Sequence, residues 1–253
     1  MTARTDKLAV ETLRKEFDFG PPSPAMAEKF EHKNFADLFY ETEMNGKKLF
    51  ALFGGYGYNQ ALGVSLFYGD LLEFDEKPFI VYLGCYQATC NSDAEPGDFV
   101  VPSRAYSDDP SFIELCGICR DNNVPGNPEL FNEELREKMK RVTEGMGLKV
   151  HDGEVYSRYG LKPGKFKEHP YELWDELWDS FAENEGPNVF GDYETACLVA
   201  SANLIKVPSV TLAYVKEKGS EEKGDYTRLT QEDYEETLAK AARAIHEFMK
   251  IEI

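Results

Sequence analysis

Two carboxylates separated by one residue stand where a short apolar run gives way to a longer one. Asp192 and Glu194 follow Gly191, and a helix-like apolar stretch runs from Cys197 to Ile205. An ionised carboxylate can accept hydrogen bonds from both hydroxyls of a ligand diol. An acid in the first turn of a helix also suits the free N–H groups and the helix dipole. The pair therefore predicts either a binding site for a hydroxylated ligand or a plain capped helix start.

Other candidate groups lie in glycine-rich or cysteine-containing segments. Residues 54–57 contain three glycines but lack the lysine of a P-loop and the spacing of a dinucleotide fingerprint. Cys116 and Cys119 have the spacing of a redox pair or of half a zinc site, but no second pair with matching spacing follows. The four histidines show no ligand-like spacing. We therefore expect neither a metal nor a cofactor.

Composition limits the class of protein. The 253 residues, 42% of them apolar, predict a single globular domain spanning residues 1–253. A net charge of −18 disfavours binding to nucleic acid and to anionic membranes. The sequence contains no apolar run of membrane-spanning length and no signal-peptide core, and its five scattered cysteines favour a reducing compartment. We expect a soluble, cytoplasmic protein that binds neither nucleic acid nor membrane.

Apolar periodicity gives the order of elements. Strands are predicted at residues 49–54, 79–84, 99–101, 148–157, 188–190 and 209–215. Helices are predicted at residues 59–74, 128–146, 171–182 and 231–249, with Asn127 and Thr230 as caps of the second and the last. This alternation predicts a three-layer α/β/α fold with a twisted mixed central sheet.

Several phrases, in this order and spacing, resemble the nucleoside phosphorylase superfamily, which includes purine and uridine phosphorylases and methylthioadenosine nucleosidases. They are MNGKKLFALFGGYG at 44–57, LGC at 83–85, PGDFVVP at 96–102, GLKVHDGEVYS at 147–157, DYETA at 192–196 and GDY at 224–226. The likeness runs from about residue 34 to the C-terminus and leaves residues 1–33 as a divergent segment. It implies a nucleoside phosphorylase-like fold, a homo-oligomer (dimer or hexamer) and cleavage of the bond between a ribose and its base, usually by glycosyl transfer to phosphate.

The resemblance also implies roles for individual residues. Glu194 would accept hydrogen bonds from the ribose 2′ and 3′ hydroxyls and help to stabilise an oxocarbenium-like sugar. Tyr193 takes the place of a methionine beneath the sugar, and Asp192 lies beside it in the chain. The other substrate-binding candidates are Gly55, Tyr56, Gly84, Cys85, Tyr86, Arg158 and Tyr159. The bulk of Tyr86, where the family has a small-residue turn, predicts a pocket that is reshaped or partly filled. Arg158 is equally consistent with a surface role.

The chain departs from the family at the phosphate site. Three arginines hold phosphate in the phosphorylases because guanidinium forks match its oxygens. The corresponding positions here fall in residues 20–24, which contain no arginine, at Phe35 and at Tyr82. We therefore expect that the phosphate site is lost.

A further departure concerns the group that protonates the leaving base. The purine enzymes use an acidic residue after the last strand, and here Lys216 falls closest to that position, with Glu217 as its neighbour. A lysine acts as an acid only if its pKa is lowered, and otherwise it is a solvated surface residue. Lys216 joins Glu194 as a candidate catalytic residue.

Two hypotheses follow. The first is an enzyme that cleaves the N-glycosidic bond of a nucleoside or related compound, with water favoured as the nucleophile and phosphate left open as a second ligand. The second is a catalytically silent homologue that serves as a nucleoside-binding or structural subunit, which the missing arginines and the missing acid motivate.

Overall fold

The computed structural model describes residues 7–21, 39–52, 79–107, 129–157, 188–192, 194–204, 206–219 and 226–252. The helices in these ranges are α1 (Lys7–Phe17), α2 (Glu133–Gly145), α3 (Thr195–Leu204) and α4 (Gln231–Glu252). The strands are β1 (Phe39–Met44), β2 (Lys47–Leu52), β3 (Ile80–Ala88), β4 (Phe99–Ser107), β5 (Glu129–Leu130), β6 (Val150–Ser157), β7 (Val189–Asp192), β8 (Ser209–Lys218) and β9 (Thr227–Arg228). None of the helices in these ranges has the length and apolar character needed to cross a membrane.

A tight hairpin joins the first two strands, β1 and β2. The two strands pair with each other in antiparallel register and form a two-stranded sheet. The turn consists of Asn45 at φ 53° and Gly46 at φ 79°. Asparagine and glycine adopt positive φ at low cost, and an Asn-Gly pair is the preferred sequence for this kind of hairpin. The turn residues therefore fix the register of the hairpin.

The main sheet is mixed and has seven strands in the order β5-β4-β6-β7-β3-β8-β9. β6 runs parallel to both β4 and β7, and β3 runs parallel to β8. The two parallel groups are joined by a short antiparallel contact in which Gln87 of β3 faces Gly191 of β7. This contact brings the C-terminal end of β3 against the C-terminal end of β7.

The sheet curls until β4 also pairs with β8. Phe99 faces Tyr214 and Val100 faces Ala213 in this antiparallel contact. Together with the pairs already described, it closes β4, β6, β7, β3 and β8 into a ring. The closure is a pairing between strands far apart in sequence, which apolar periodicity does not reveal.

Helices cover the sheet from two sides, and each side has its own apolar core. The core that includes α3 contains Tyr86, Val155 and Phe190, all 1% exposed or less. The core that includes α1, α2 and α4 contains Leu212 and Phe248. Coverage on both faces explains why β8 is a nearly continuous apolar run. The predicted α/β fold with a mixed sheet between helices is confirmed.

Most predicted elements within the described ranges are present, with different ends. Strands occur at all six predicted places, and β3 and β4 continue well past their predicted ends. Thr230 caps α4 as expected, because its hydroxyl accepts a hydrogen bond from the Asp233 N–H at 3.2 Å. The prediction of Asn127 as the cap of α2 is wrong. Residues 129 and 130 pair with β4, so the helix begins later, and Asn132 caps it by accepting from the Leu135 N–H at 3.0 Å. The predicted helices at residues 59–74 and 171–182 lie outside the described residues.

A glycine allows the close approach of β6 and the start of β7. A Cβ atom at Gly153 would lie 2.4 Å from the carbonyl oxygen of Asn188 and 2.5 Å from the ring of Phe190. The same carbonyl accepts a hydrogen bond from the N–H of Glu154 at 3.0 Å. A side chain at position 153 would therefore push apart the two strands whose C-terminal ends carry Ser157 and Asp192.

Replacing Gly153 with alanine should destabilise the protein by about 1–3 kcal/mol, the usual cost of overpacking. Urea denaturation of the variant and of the wild type gives the difference in free energy of unfolding. Gly145→Ala is the matched control, because a Cβ at that helical position meets nothing within 4 Å and alanine is the better helix former. Equal stability of the Gly153→Ala variant and the wild type would contradict the close contact.

Candidate active site

The C-terminal ends of four strands meet at one end of the sheet. Ser157 of β6 faces Asp192 of β7, and Gln87 of β3 faces both Gly191 of β7 and Glu217 of β8. In α/β folds with open or closed sheets, ligands bind at the carboxyl ends of the strands. The register therefore gathers the C-terminal residues of β3, β6, β7 and β8 at the position where a ligand site is expected.

The Asp192 carboxylate is the centre of this region. It is buried and accepts hydrogen bonds from the hydroxyls of Ser157 and Thr195, from the Thr195 N–H at 2.9 Å, and from the Glu194 N–H. The Ser157 hydroxyl in turn accepts from the Ala196 N–H at 2.8 Å. Side chains at the ends of β6 and β7 thus satisfy three successive N–H groups at the start of α3, which otherwise lack partners.

Two opposing effects act on the charge of Asp192. Burial raises the pKa of this carboxyl, because removing the charged form from water is costly. The hydrogen bonds from Ser157, from Thr195 and from the Glu194 N–H stabilise the charged form and offset part of that increase. The capping interpretation of Asp192 is therefore confirmed, whereas a direct contact of this residue with substrate stays a prediction.

Glu194 stands at the entry of α3, between Asp192 and the helix. Its carbonyl oxygen accepts from the N–H groups of Cys197 and Leu198, both at 3.1 Å, so its backbone is part of the first helical turn. The residue is half-buried. Its charge raises the pKa of Cys85 and of Tyr86, which places the carboxylate within electrostatic range of the end of β3. The structure thus brings Glu194 together with two other predicted site residues.

The thiol of Cys85 reports on the charges around it. Burial raises the pKa of Cys85 to about 11, the charge of Lys216 lowers it, and the charges of Glu194 and Asp192 raise it. Tyr214, which faces Cys85 across β3 and β8, hydrogen-bonds to the thiol and lowers the pKa. Lys216, Glu194 and Asp192 therefore all lie close enough to Cys85 for their charges to affect the pKa of its thiol. A thiol with so high a pKa is a poor nucleophile at neutral pH.

Lys216 differs from the two charged residues that follow it in the chain. Its ammonium lies 5.8 Å from the ring centre of Tyr234 on α4, a cation–π distance. Lys218 pairs with Glu95 and Glu217 with Arg228, whereas no ion pair joins Lys216 to another described residue. Lys216 is thus a half-buried cation with an aromatic neighbour and without a described carboxylate partner.

Tyr86 fills the space above Gly84. A Cβ atom at Gly84 would lie 3.4 Å from the Tyr86 ring and 3.3 Å from the Cβ of Ala213. The ring stacks on Phe190 with the centroids 6.1 Å apart, and the hydroxyl is 3.2 Å from the Thr195 hydroxyl. Burial and the nearby charge of Asp192 raise the pKa of Tyr86 far above its ordinary value, so the phenol keeps its proton. These contacts are all internal, and ligand contact by Gly84 or Tyr86 stays a prediction.

Tyr82, where the resemblance implies a phosphate-binding arginine, is bonded to α3. Its hydroxyl donates to the Leu198 carbonyl at 3.0 Å. The other two arginine positions, in residues 20–24 and at Phe35, are not covered by the described residues apart from residues 20 and 21. The Tyr82 side chain thus makes an internal contact, and the loss of the phosphate site stays a prediction.

Several predicted site residues lie outside the described residues, namely Tyr193, Gly55, Tyr56, Arg158 and Tyr159. Cys116 and Cys119 also lie outside them. Among the residues that are described, no cluster of three or more His, Cys, Asp or Glu side chains is arranged to hold a metal ion. The guanidinium of Arg104 is 3.4 Å from the Glu154 carboxylate.

Ser157 and Thr195 both donate to Asp192, and neither is predicted from the sequence as a site residue. Thr195 follows Asp192 by three residues, which is the spacing of a capping side chain and the N–H that it receives. That spacing was a usable signal for Thr195. Ser157 is 35 residues from Asp192, and only the register of β6 on β7 brings it there.

Solved structures share the fold at low sequence identity. The 5′-methylthioadenosine/S-adenosylhomocysteine nucleosidase of Campylobacter jejuni has a TM-score of 0.69 and 13% identity, covering 97% of this chain and 96% of that chain. The corresponding enzyme of Neisseria meningitidis, in complex with methylthio-immucillin-A, has a TM-score of 0.67 and 18% identity, covering 96% and 95%. A futalosine hydrolase mutant of Helicobacter pylori has a TM-score of 0.67 and 13% identity, covering 97% and 95%.

Sequence comparison gives a family but no individual relative. No curated protein sequence matches the chain. The sequence profile of the phosphorylase superfamily matches residues 88–251, which is more than half of the chain and includes Asp192, Glu194 and Lys216. This chain therefore belongs to the phosphorylase superfamily.

Proposed function

We propose that the protein cleaves the N-glycosidic bond of a nucleoside or a related compound, with water as the nucleophile. The observation that carries this proposal is the position of Glu194, on the first turn of α3, within electrostatic range of Cys85 and Tyr86 at the end of β3. Membership of the phosphorylase superfamily supplies the class of reaction. Glu194 binds the ribose hydroxyls in this proposal.

The reaction exchanges one bond at the anomeric carbon. The bond from C1′ to the base nitrogen breaks, and its electron pair goes to the base. The oxygen of water forms a bond to C1′, and the proton that water loses is balanced by the proton that the base nitrogen gains. The sugar carries positive charge while the old bond is broken and the new one is incomplete. Negative groups fixed near the sugar therefore stabilise the transition state.

Glu194 suits this role because its backbone is held and its side chain is only half-buried. The Asp192 carboxylate and the carbonyl contacts to Cys197 and Leu198 fix the position of the Glu194 main chain. A carboxylate on a fixed main chain can meet the 2′ and 3′ hydroxyls without losing much freedom on binding.

The balance of charge favours water over phosphate. Of the charged groups that most strongly affect the Cys85 thiol, Asp192 and Glu194 are carboxylates and Lys216 is an ammonium. Such a surrounding repels a phosphate dianion and attracts a cationic sugar. The neutral hydroxyl of Tyr82 in an arginine's position supports the same choice. The solved structures of similar fold are named as nucleosidases and a hydrolase, which is also consistent with water.

Lys216 has a place in the same proposal as the group that meets the leaving base. A half-buried ammonium without a described carboxylate partner can donate to an electronegative atom of the base as negative charge develops there. Its charge is opposite in sign to that of Glu194, so in this proposal Lys216 forms the base-binding end of the site and Glu194 the sugar-binding end.

One observation favours the second candidate function, a silent nucleoside-binding homologue. The ring of Tyr86 covers Gly84, where the resemblance implies a small-residue turn beside the substrate. A silent homologue would keep the sugar contact of Glu194 without turnover. The same experiments separate the two candidates.

The organisation of the protein completes the proposal. A single ring of strands with apolar cores on both sides supports one domain for residues 1–253. The net charge of −18 supports a soluble protein. We propose a cytoplasmic homo-oligomer, dimer or hexamer, on the resemblance alone, and light scattering measures its mass in solution.

Incubation with a panel of purine and pyrimidine nucleosides should release free base at the same rate with and without phosphate. Chromatography of the base and of the sugar product makes the measurement, and free ribose rather than ribose 1-phosphate is expected. Release that depends on phosphate would overturn the choice of water. No release, together with thermal stabilisation by a nucleoside, would establish the silent binder instead.

Replacing Glu194 with alanine should lower the rate of base release by about 100-fold or more, because two charge-assisted hydrogen bonds at roughly 1.5–3 kcal/mol each are lost. In a silent binder, the same change should abolish the thermal shift caused by the nucleoside. Glu236→Ala is the matched control, since that side chain is 64% exposed on α4. Unchanged behaviour of the Glu194 variant would remove Glu194 from the site.

Replacing Lys216 with methionine should slow base release at least about tenfold while nucleoside affinity changes little, because the ammonium acts on charge that develops as the bond breaks. Single-turnover rates and equilibrium binding separate the two effects. Lys240→Met, at a 45% exposed position on α4, is the control. An equal loss in affinity and rate would show that Lys216 holds the ground state, and no loss would leave it as a surface residue.

A further inference from the structure

Two tyrosines on the same face of β3 donate to the same helix at different places. Tyr82 bonds to the Leu198 carbonyl, whereas Tyr86 bonds to the hydroxyl of Thr195, which in turn bonds to Asp192. We propose that Tyr86 is a positioning residue that acts through Thr195 and Asp192 to hold Glu194 at the sugar site. The part that concerns the sugar rests on the proposed function.

The direction of each hydrogen bond follows from the number of protons available. The Thr195 hydroxyl has one proton and donates it to the Asp192 carboxylate. In its contact with Tyr86, at 3.2 Å, the Thr195 oxygen must therefore accept, and Tyr86 must donate. On the other side, the Ala196 N–H donates to Ser157, and the Ser157 hydroxyl donates to Asp192. Two donor chains thus converge on one carboxylate.

This arrangement holds the main chain on both sides of the Glu194 side chain. The N–H groups of Glu194 and Thr195 both donate to Asp192, and the N–H of Ala196 donates to Ser157. Glu194 has its N–H bonded to the end of β7 and its carbonyl bonded within α3. Rotation of the first turn of α3 would break these bonds together, so the direction of the Glu194 side chain depends on them.

Tyr86 connects this network to β3 through its hydrogen bond to Thr195. It is 1% exposed, and its ring is held between Phe190 and the backbone at Gly84. Its hydroxyl donates to the Thr195 oxygen, so loss of that hydroxyl leaves this buried oxygen without the Tyr86 donor. The Thr195 side chain is then free to turn away from Asp192, and the first turn of α3 is loosened.

The first test needs no ligand. Hydrogen exchange of the whole protein, followed by mass spectrometry of peptides that span residues 188–200, reports on the amides that bond to Asp192 and Ser157. In Tyr86→Phe, these amides should exchange about tenfold faster than in the wild type, since one buried hydrogen bond is removed. Tyr82→Phe is the matched control, because it removes a tyrosine hydroxyl from the same helix and leaves the Asp192 network intact. Equal exchange in the two variants would overturn the proposal.

A second pair of variants decides the question if Tyr86→Phe does not fold. Thr195→Ser keeps the hydroxyl and should exchange like the wild type. Thr195→Val removes the hydroxyl at similar volume and should show the faster exchange expected of Tyr86→Phe. Equal rates for the serine and valine variants would also overturn the proposal.

The link to Glu194 is tested by a double-mutant cycle. If base release is measurable, Tyr86→Phe should lower kcat about tenfold with a smaller change in KM, and it should have no added effect in Glu194→Ala. If the protein only binds nucleosides, the same cycle applies to the dissociation constant. An additive effect would show that Tyr86 acts independently of Glu194. If the wild type neither releases base nor binds nucleosides, the proposed function fails, and the exchange data still decide whether Tyr86 holds the helix start.

Discussion

A buried carboxylate connects the elements that meet at the C-terminal ends of the strands. Asp192 accepts hydrogen bonds from Ser157 on β6 and from the first turn of α3, and through Thr195 it is connected to Tyr86 on β3. Three strands and a helix therefore depend on one negative charge that is nearly inaccessible to water. Such a charge is tolerated only where donors surround it, because the desolvation cost is several kcal/mol otherwise. Among the described residues, the donors to Asp192 are hydroxyls and main-chain amides, none of which carries a positive charge.

These donors leave the charge of Asp192 able to act on neighbouring residues. Hydroxyl and amide donors stabilise a carboxylate without cancelling its net charge, so Asp192 still acts on Cys85 and Tyr86. Glu194 adds a second negative charge to the same region, and Lys216 is the cation that opposes them at the thiol. A phosphorylase needs the opposite balance, with several cations around an anionic nucleophile. The superfamily fold is present here with two carboxylates and one ammonium group acting on the Cys85 thiol.

The sequence was a good guide to the elements and a partial guide to the site. Apolar runs predicted the strands because the sheet is covered on both faces. The spacing of apolar residues predicted α4, and a cap followed by early acidic and late basic residues predicted α2. The cap of α2 was misplaced because Asn127 and Asn132 are both suitable caps, and only the pairing of β5 with β4 decides between them. Pairing over long distances in sequence has no local signal, which is also why the contact of β4 with β8 was not foreseen.

At the site itself, local chemistry was readable and tertiary contacts were not. The acid pair at the start of α3 predicted both a cap and a ligand group, and the structure assigns the cap to Asp192. The bulk of Tyr86 predicted a pocket that is reshaped or partly filled, and its ring lies over Gly84. The hydrogen bond that this tyrosine donates to Thr195, 109 residues away, is not indicated by the sequence near either residue. Ser157 is a similar case, since its role depends wholly on the register between β6 and β7.

The closed ring of β4, β6, β7, β3 and β8 bears on how the sequences of this superfamily can diverge. Main-chain hydrogen bonds set the spacing of the strand ends, and they are indifferent to the side chains carried there. Side chains on these strands can therefore differ between members of the superfamily without breaking the strand pairs that form the ring. The backbone frame of the superfamily can thus be inherited while the side chains around it change.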